Sequence, residues 1–512
     1  MCKKAKTCRG SITVFASLAL LLVASFLLAL LEAARVEGLE SYAEMNRVNA
    51  LESVLSEYNR ELFEEYGIFL LDVGYGSGTV CFSQMNSRLQ EVCQKNLRPA
   101  VTGSLLWDTQ NFYQMDVSDA VVTHYVLATD YNGAPFRRMA AESMKLRYPL
   151  ELARKLQERL ASSDETMEQG KQSRLALDHA QTELEAAKEQ QAQERTPEAA
   201  GVSKPDEGAA APAAPVENPI EVIKKLRETD LLTLVLPEGS RVSEKAISDK
   251  DTLERRSLQQ GNEPWKDSGG WYEKLCYHQF LNTYFSCFTS EKKSDGALDY
   301  ELEYIHAGKL SDRENLKRVV QELLLLREGA NFLYLQGDAA KKEEAYAVAA
   351  ALLAPLGLSA VIPAAAQGIL AAWAFGESVL DVRTLLAGKR VPWMKTAESW
   401  TSSLSGLGAA LTGGMKAEEQ ASGENYEGYL QKLLYLKSEK LLNYRAMDLM
   451  EQRLRQKSGY GQVRMDSMAL FLRGEVTCEA APLFSSMVTL QRLRTDRLVF
   501  SGTVQDGYLP EE

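Results

Sequence analysis

An uncharged apolar run near the amino terminus is the strongest constraint on what this chain can form. Residues 11–31 contain no charged side chain, and a helix of that length covers about 30 Å, the thickness of a bilayer's hydrocarbon core. Lysine and arginine precede the run and Glu32 follows it, so the positive-inside rule places residues 1–10 in the cytoplasm as a basic leader and the bulk outside. The sequence therefore predicts a single-pass protein of the cell membrane.

A cleaved secretory signal is the alternative to a retained anchor. The run is long for the apolar part of a secretory signal, and residues 32–35, Glu-Ala-Ala-Arg, lack a small-x-small cleavage pattern. We therefore expect residues 11–31 to remain as a transmembrane helix that contacts the lipid bilayer.

Apolar positions continue at helical spacing beyond the run. They recur at steps of three and four, at Val48, Leu51, Leu55, Tyr58 and Leu62. This pattern predicts one helix from Ser11 to about Tyr66, roughly 80 Å long. Its apolar stripe packs either on the protein's own core, which we favour, or on another subunit.

The rest of the chain is predicted to be α+β and mainly helical. Residues 32–135 combine the long helix with a small α+β unit, whose predicted elements are a strand at 68–73, a helix at 82–97 and one or two strands in 117–129. Residues 136–195 are rich in strong helix formers and predict a helical stalk or coiled coil. Residues 196–219 are rich in Pro and Ala and predict a disordered linker.

Residues 220–512 are predicted to form a larger, mainly helical α+β domain. We expect helices at 222–226, 271–288, 315–335 and 426–455, and strands at 231–236, 469–480 and 498–504.

An uncharged stretch at 345–375 has two interpretations. It is long enough for a second membrane span, but alanine dominates it and Pro355 and Pro363 interrupt it. We favour a buried helical hairpin, because the flanking charges show no clear bias. A second span would return the carboxy-terminal part to the cytoplasm.

Charge and cysteine content narrow the classes of partner. The formal net charge of −12 argues against nucleic acid. Seven cysteines are too few for a dense disulfide framework. Cys81 and Cys93 are the best candidate pair, and the odd number after the apolar run leaves at least one thiol unpaired or paired between chains.

No pattern of residues indicates catalysis. The glycine-rich segment 74–78 follows a predicted strand, but position 79 is threonine where a dinucleotide fingerprint needs glycine. The four histidines are not spaced as metal ligands, and the carboxylates Glu61, Glu64, Glu65 and Asp72 are typical of a solvated helix end. We therefore expect no catalytic residue, no cofactor and no metal, and hence a protein that is not an enzyme.

Several short segments carry a resemblance to a known group of proteins. They are residues 9–15, 31–35, 64–72, 218–221, 234–237, 312–315, 372–374, 388–392 and 429–430. In these segments the chain resembles an uncharacterised family of large membrane-anchored proteins of Gram-positive bacteria, which is associated with tight-adherence (Flp) pilus loci. That family is similar in plan to the TadE and TadG minor pilins.

The resemblance implies a structural role. It implies an anchor helix that carries an exterior domain, with other pilus or envelope assembly proteins as partners. Gly10 and Ser11 resemble a prepilin processing site, although Phe15 stands where a prepilin usually has glutamate. The chain is either cut there or remains a permanent anchor, and an exterior binding or sensory module unrelated to pili is the alternative function. The sequence leaves the oligomeric state open.

Overall fold

The chain forms two units, and each is assembled from separated stretches of sequence. The structure, a computed structural model, describes residues 9–97, 113–161, 163–194, 218–227, 229–237, 239–267, 269–291, 296–412, 415–483 and 497–509. The first unit comprises Met1–Met139, Leu258–Ser268 and Leu454–Glu512. The second comprises Ala140–Ser257 and Gly269–Arg453. The predicted linker at 196–219 lies mostly outside the described residues.

The first unit combines a long helix with a small antiparallel sheet. Its elements are α1 (Arg9–Leu55), α2 (Arg60–Tyr66), β1 (Leu71–Asp72), α3 (Phe82–Leu97), β2 (Met115–Leu127), the start of α4 (Asp130–Lys145), β3 (Met468–Ala480) and β4 (Leu498–Gly507). The mainly helical α+β class is therefore confirmed. The predicted helix at 82–97 and the predicted strands at 469–480 and 498–504 are also confirmed.

Strand β3 is the centre of the sheet. It pairs antiparallel with β2, β4 and the short β1. Alternate side chains of β3, such as Leu472 and Val476, enter the core shared with α1 and α3. Side chains of Asn86, Gln94 and Asn262 accept hydrogen bonds of 2.9–3.0 Å from backbone N–H groups of β2. These side chains bind N–H groups of β2 that a further strand beside β2 would otherwise bind.

The prediction of one helix from Ser11 to Tyr66 is wrong, because the helix ends at Leu55. A new helix, α2, begins after Asn59, whose side-chain oxygen accepts the N–H of Leu62 at 3.1 Å. Asparagine is favoured at this N-terminal capping position. Its side-chain oxygen accepts an N–H group that would bond to a backbone carbonyl oxygen if α1 continued. The predicted strand at 68–73 is likewise reduced to β1, Leu71–Asp72.

The second unit is built from helices. Its elements are the end of α4, α5 (Leu150–Ala161), α6 (Ser163–Glu194), α7 (Pro219–Arg227), α8 (Leu231–Val235), α9 (Trp271–Tyr284), α10 (Glu301–Ala307), α11 (Asp312–Gly337), α12 (Ala339–Leu353), α13 (Ile362–Leu386), α14 (Leu407–Thr412), α15 (Tyr426–Tyr435) and most of α16 (Glu439–Gln456). The long helices α6, α11 and α13 pack against one another. The predicted strand at 231–236 is wrong, since α8 lies there, and the predicted helix at 426–455 is two helices.

Helix α6 lies in the region where we expected a solvated stalk or coiled coil. It packs instead on α11, and two glycines allow the close approach. A Cβ on Gly170 would lie 2.1 Å from the carbonyl oxygen of Leu325, and one on Gly329 would lie 1.9 Å from that of Thr166. Glycine adds little to the hydrophobic pattern by which a buried helix face is recognised in a sequence. The polar side chains of α6 therefore dominated its pattern and suggested a solvated helix.

The apolar stretch 345–375 falls within two helices, α12 and α13, that pack against each other. The turn between them contains Pro355 and Gly357, whose φ is 76°. Of the described residues, two helical segments are long and apolar enough to cross a membrane, Ile12–Leu55 and Ser359–Leu386. The most apolar window of the second is 67% buried, whereas that of the first is 0% buried. This burial favours the hairpin interpretation.

Candidate functional site

The first half of α1 exposes its apolar side chains. Ile12 is 72% exposed, Phe15 73% and Leu22 68%. Exposing this many apolar side chains to water has a large unfavourable free energy, whereas the hydrocarbon core of a lipid bilayer solvates them well. The amino-terminal helix is thus long and apolar enough to span a membrane, which supports membrane anchoring.

The second half of α1 is part of the core of the first unit. Its buried residues are Leu39, Ala43, Ala50, Leu51, Val54 and Leu55. They pack with α3, β3 and β4. The expectation that the stripe packs on the protein's own core is confirmed for Leu51 and Leu55, while Val48 is exposed. The helix that would cross the membrane is therefore also a core element of the domain.

A buried polar cluster, which we call the collar, fixes α1 where the apolar run ends. The Arg35 guanidinium donates to the Glu32 carboxylate at 3.1 Å and to the carbonyl oxygens of Tyr113 at 2.5 Å and Ala481 at 3.1 Å. The other end of the cluster is Glu32, which accepts the N–H of Leu483 at 3.2 Å. Because these partners lie beside the ends of β2 and β3, the collar joins the anchor to the sheet. Gly10 and Ser11 lie in the first turns of α1, and processing of the chain between them stays a hypothesis.

The glycine-rich segment 74–78 is a closed turn. The carboxylate of Asp72 accepts the N–H groups of Gly74 at 2.9 Å and Gly76 at 2.8 Å. Gly76 and Gly78 have φ values of 84° and 73°, which glycine adopts without strain. A phosphate would need the same N–H groups, so the geometry agrees with the interpretation of this segment as a turn.

The candidate pair Cys81 and Cys93 does not form a disulfide. All five cysteines among the described residues are free. Cys93 lies in α3 and Cys81 just before it, so the helix places them about 18 Å apart at 1.5 Å per residue, well beyond the reach of a disulfide. Cys93 is buried in the core with Cys478, and burial raises the pKa of the Cys93 thiol to about 12.

The histidines and the amino-terminal carboxylates have structural environments. Within the described parts of the chain, no three His, Cys, Asp or Glu side chains are grouped so that they could hold a metal ion. His278 is buried, and burial lowers its pKa to about 3. Glu64 pairs with Arg60 at 2.7 Å, and Lys457 pairs with Glu61 and, at 3.6 Å, with Glu65.

A network of charged side chains lies inside the second unit and is not among the features predicted from the sequence. This buried ion network consists of Arg327 on α11, Glu377 and Asp381 on α13, and Lys395 after α13, all at most 1% exposed. Asp381 accepts from Arg327 at 2.9 Å and lies 2.8 Å from the Lys395 ammonium, which lies 2.7 Å from Glu377. Two positive and two negative charges therefore balance.

The network also fixes the segment between α13 and α14. Arg327 donates to the carbonyl oxygen of Trp393 at 2.7 Å, and Glu377 accepts the N–H of Ser402 at 2.8 Å. Burial alone would raise the pKa of Asp381, but Arg327 and Lys395 hold that pKa below its ordinary value. Glu377 and Asp381, two acids about one turn apart in a helix made mostly of apolar residues, are the sequence signal that could have revealed this network.

Glu303 and Asp448 are two other buried carboxyls of the second unit that accept hydrogen bonds from tyrosine hydroxyls. Glu303 accepts from the Tyr426 hydroxyl at 2.7 Å and from the Phe288 N–H at 2.8 Å. Asp448 accepts from the Tyr304 hydroxyl at 2.9 Å and from a backbone N–H. Burial raises the pKa of each carboxyl to about 7, because neither has a cation close enough to offset the loss of water.

This raised pKa predicts a pH-dependent stability. The folded state holds the Glu303 proton up to about pH 7, whereas the unfolded chain releases it near 4.5, so the contribution of Glu303 to stability falls as the pH rises between these values. Between pH 5 and pH 8 we expect the free energy of unfolding of Glu303→Gln to rise by roughly 2–3 kcal/mol relative to that of wild type, measured by urea unfolding. The comparison with wild type cancels the opposite contribution of His278. Glu64→Gln, on an exposed side chain, should show no such trend, and a parallel course of the Glu303→Gln and wild-type curves would contradict the prediction.

Comparison with known proteins identifies the family of the chain. A family model described as a family of unknown function (DUF5702) matches residues 210–480, just over half of the chain. The match includes the buried ion network and ends with β3. No curated protein and no solved structure matches the chain. The chain therefore belongs to DUF5702, a family of unknown function.

Proposed function

We propose that this protein is a non-enzymatic envelope protein, anchored in the cell membrane by residues 11–31, and that it serves as a minor pilin-like or accessory component of tight-adherence (Flp-type) pilus assembly. The observation that carries the proposal is the continuity of α1. One helix of 47 residues exposes an apolar half and packs its other half against an antiparallel sheet. This is the plan expected from the resemblance to TadE and TadG proteins.

The collar supports a mechanical role for this arrangement. Arg35 bonds the anchor helix directly to the carbonyl oxygens beside β2 and β3, so no flexible linker separates the apolar half of α1 from the folded domain. A displacement of the anchor within an assembly platform would therefore be transmitted to the sheet. The basic leader favours a cytoplasmic amino terminus and an exterior domain.

A topology reporter tests the orientation. Alkaline phosphatase folds only outside the cytoplasm, so we expect its fusion after residue 512 to be active in cells. A fusion after residue 10, ahead of the anchor, is the matched control and should be inactive. Activity of the first fusion requires that 345–375 does not cross the membrane, and an inactive but expressed fusion would contradict the single-pass arrangement.

Deletion in the native host tests the role in assembly. We expect loss of the gene to reduce surface fibres seen by electron microscopy, and the full chain to restore them. A variant in which residues 11–31 are replaced by an unrelated transmembrane helix should be stable and remain in the membrane, but should restore fewer fibres if the anchor contacts the assembly platform. Unchanged fibres in the deletion strain would refute the pilus assignment.

A second candidate function is an exterior binding module unrelated to fibres. The observation that favours it is a basic pocket in the second unit. Saturable ligand binding together with normal fibres in the deletion strain would support this alternative.

A further inference from the structure

A basic pocket of about 490 Å³ lies in the second unit. Residues of α6, α7, α8, α11 and α13 line it, and four of its side chains are cationic: Arg174, Arg227, Lys317 and Arg318. The chain as a whole carries a net charge of −12, so a pocket lined by four cations differs in sign from the chain's average charge. A pocket of this volume suits a small organic ligand.

A single buried carboxylate holds two of these arginines. Glu328 is 0% exposed and accepts from Arg174 at 3.0 Å and from Arg227 at 3.4 Å. Arg227 has a second, more distant partner in the exposed carboxylate of Asp178 at 3.9 Å. Among the described residues, the terminal Nη groups of Arg174 have no hydrogen-bond acceptor, so these donors are available to a ligand.

The other carboxylates near the pocket are also shared between cations. Glu322 pairs with Arg318 at 2.9 Å and with Lys437 at 3.2 Å. Asp230 lies 3.1 Å from both Lys317 and Arg313. The ion-pair networks that include the charged side chains of the pocket contain six cations and four carboxylates, the cations being Arg174, Arg227, Arg313, Lys317, Arg318 and Lys437 and the carboxylates Asp178, Asp230, Glu322 and Glu328. His306 also lies 2.9 Å from Glu322, and it is counted as neutral because burial lowers its pKa. The neighbourhood therefore carries two positive charges in excess.

The pocket also has an apolar side. The guanidinium of Arg227 lies 4.9 Å from the centre of the Phe375 ring, and Leu231 and Leu324 line the same cavity. A ligand that fills the pocket would place an anionic group on the arginines and an apolar or aromatic group on Phe375.

We propose that this pocket binds a phosphate monoester carried on an apolar or aromatic group. Guanidinium groups match phosphate oxygens in paired hydrogen bonds, and the dianion of a monoester balances two excess positive charges. The proposal is independent of the pilus assignment, because binding to the purified protein requires no assembly platform.

Titration calorimetry on the full-length protein in nonionic detergent tests the ligand class. At pH 8 we expect phenyl phosphate, a dianion, to bind at least ten times more tightly than inorganic phosphate, which lacks the ring. Phenyl methyl phosphate keeps the ring but carries only one charge, and should also bind at least ten times more weakly. Equal affinity for phenyl phosphate and either of the other probes, or no saturable binding of phenyl phosphate, would overturn the proposal.

Substitutions locate the site. We expect Arg174→Gln and Arg318→Gln each to weaken phenyl phosphate binding at least tenfold. Arg318→Gln is the safer variant for folding, because Glu322 retains Lys437 as a partner. Arg255→Gln is the matched control, since Arg255 is exposed in the same unit and its ion-pair partner among the described residues is Asp249. Wild-type binding by Arg318→Gln, or an equal loss in Arg255→Gln, would refute this location.

Discussion

Replacing Arg327 by methionine should lower the free energy of unfolding by about 3–5 kcal/mol, the usual cost of removing one partner from a buried ion pair. The substitution leaves Asp381 and Glu377 with only the Lys395 ammonium between them, and all of these groups are at most 1% exposed. It also leaves the carbonyl oxygen of Trp393 without its donor. Urea unfolding of the full chain, followed by tryptophan fluorescence, measures the loss.

Two comparisons separate charge balance from side-chain size. Arg313→Met removes an arginine from the same helix, α11, but at a position that is 56% exposed, and should cost well under 1 kcal/mol. The double variant Arg327→Met with Asp381→Leu restores charge balance, because Lys395 and Glu377 remain as a pair, and should be more stable than Arg327→Met alone. A double variant less stable than Arg327→Met would show that the balance of charges does not determine the stability of this network.

Replacing Gly329 by alanine should destabilise the protein by about 2–3 kcal/mol, although alanine favours helix. The new Cβ would lie 1.9 Å from the carbonyl oxygen of Thr166 and 2.7 Å from the backbone nitrogen of Gly170. Both atoms belong to the backbone of α6, so no side-chain rotation can relieve the overlap. The two helices would have to separate, which would open the packing of α6 on α11.

Gly337→Ala provides the matched control on the same helix. A Cβ there would have no neighbour within 4 Å, so this change should be neutral or stabilise by up to about 1 kcal/mol. Thermal unfolding of the two variants gives the comparison directly. A Gly329→Ala protein as stable as wild type would mean that α6 does not approach α11 as closely as described.

The features that could be predicted from the sequence are those that depend on the pattern of residues within one short segment. Local sequence pattern located α3, β3 and β4, and the helical spacing of apolar residues located α11. The exposed apolar half of α1 was also predictable, because a run of residues without charge must find an apolar solvent whatever the rest of the chain does. The points at which helices end were harder to predict. The break between α1 and α2, for example, is stabilised by one hydrogen bond to the side chain of Asn59.

The packing partners of these elements could not be predicted in the same way. Helix α6 is polar enough to suggest a solvated stalk, yet Gly170 places it on α11. The run at 231–236 is as compatible with a buried strand as with α8, since short apolar runs fit both periods. Arg327 and Asp381 are 54 residues apart in the chain. They form an ion pair only because α11 and α13 pack together, which the sequence pattern of either helix does not show.

The sequence by itself determined the long apolar helix at the amino terminus, the mainly helical α+β class and the positions of most elements, because these depend on the spacing of apolar residues along one segment. Only the tertiary structure decided the division into two discontinuous units, the collar, the buried ion network and the basic pocket. Each of these joins residues that are far apart in the chain. The physical reason is that burial of charge and close approach of helices depend on what surrounds a side chain in three dimensions, which local spacing does not specify.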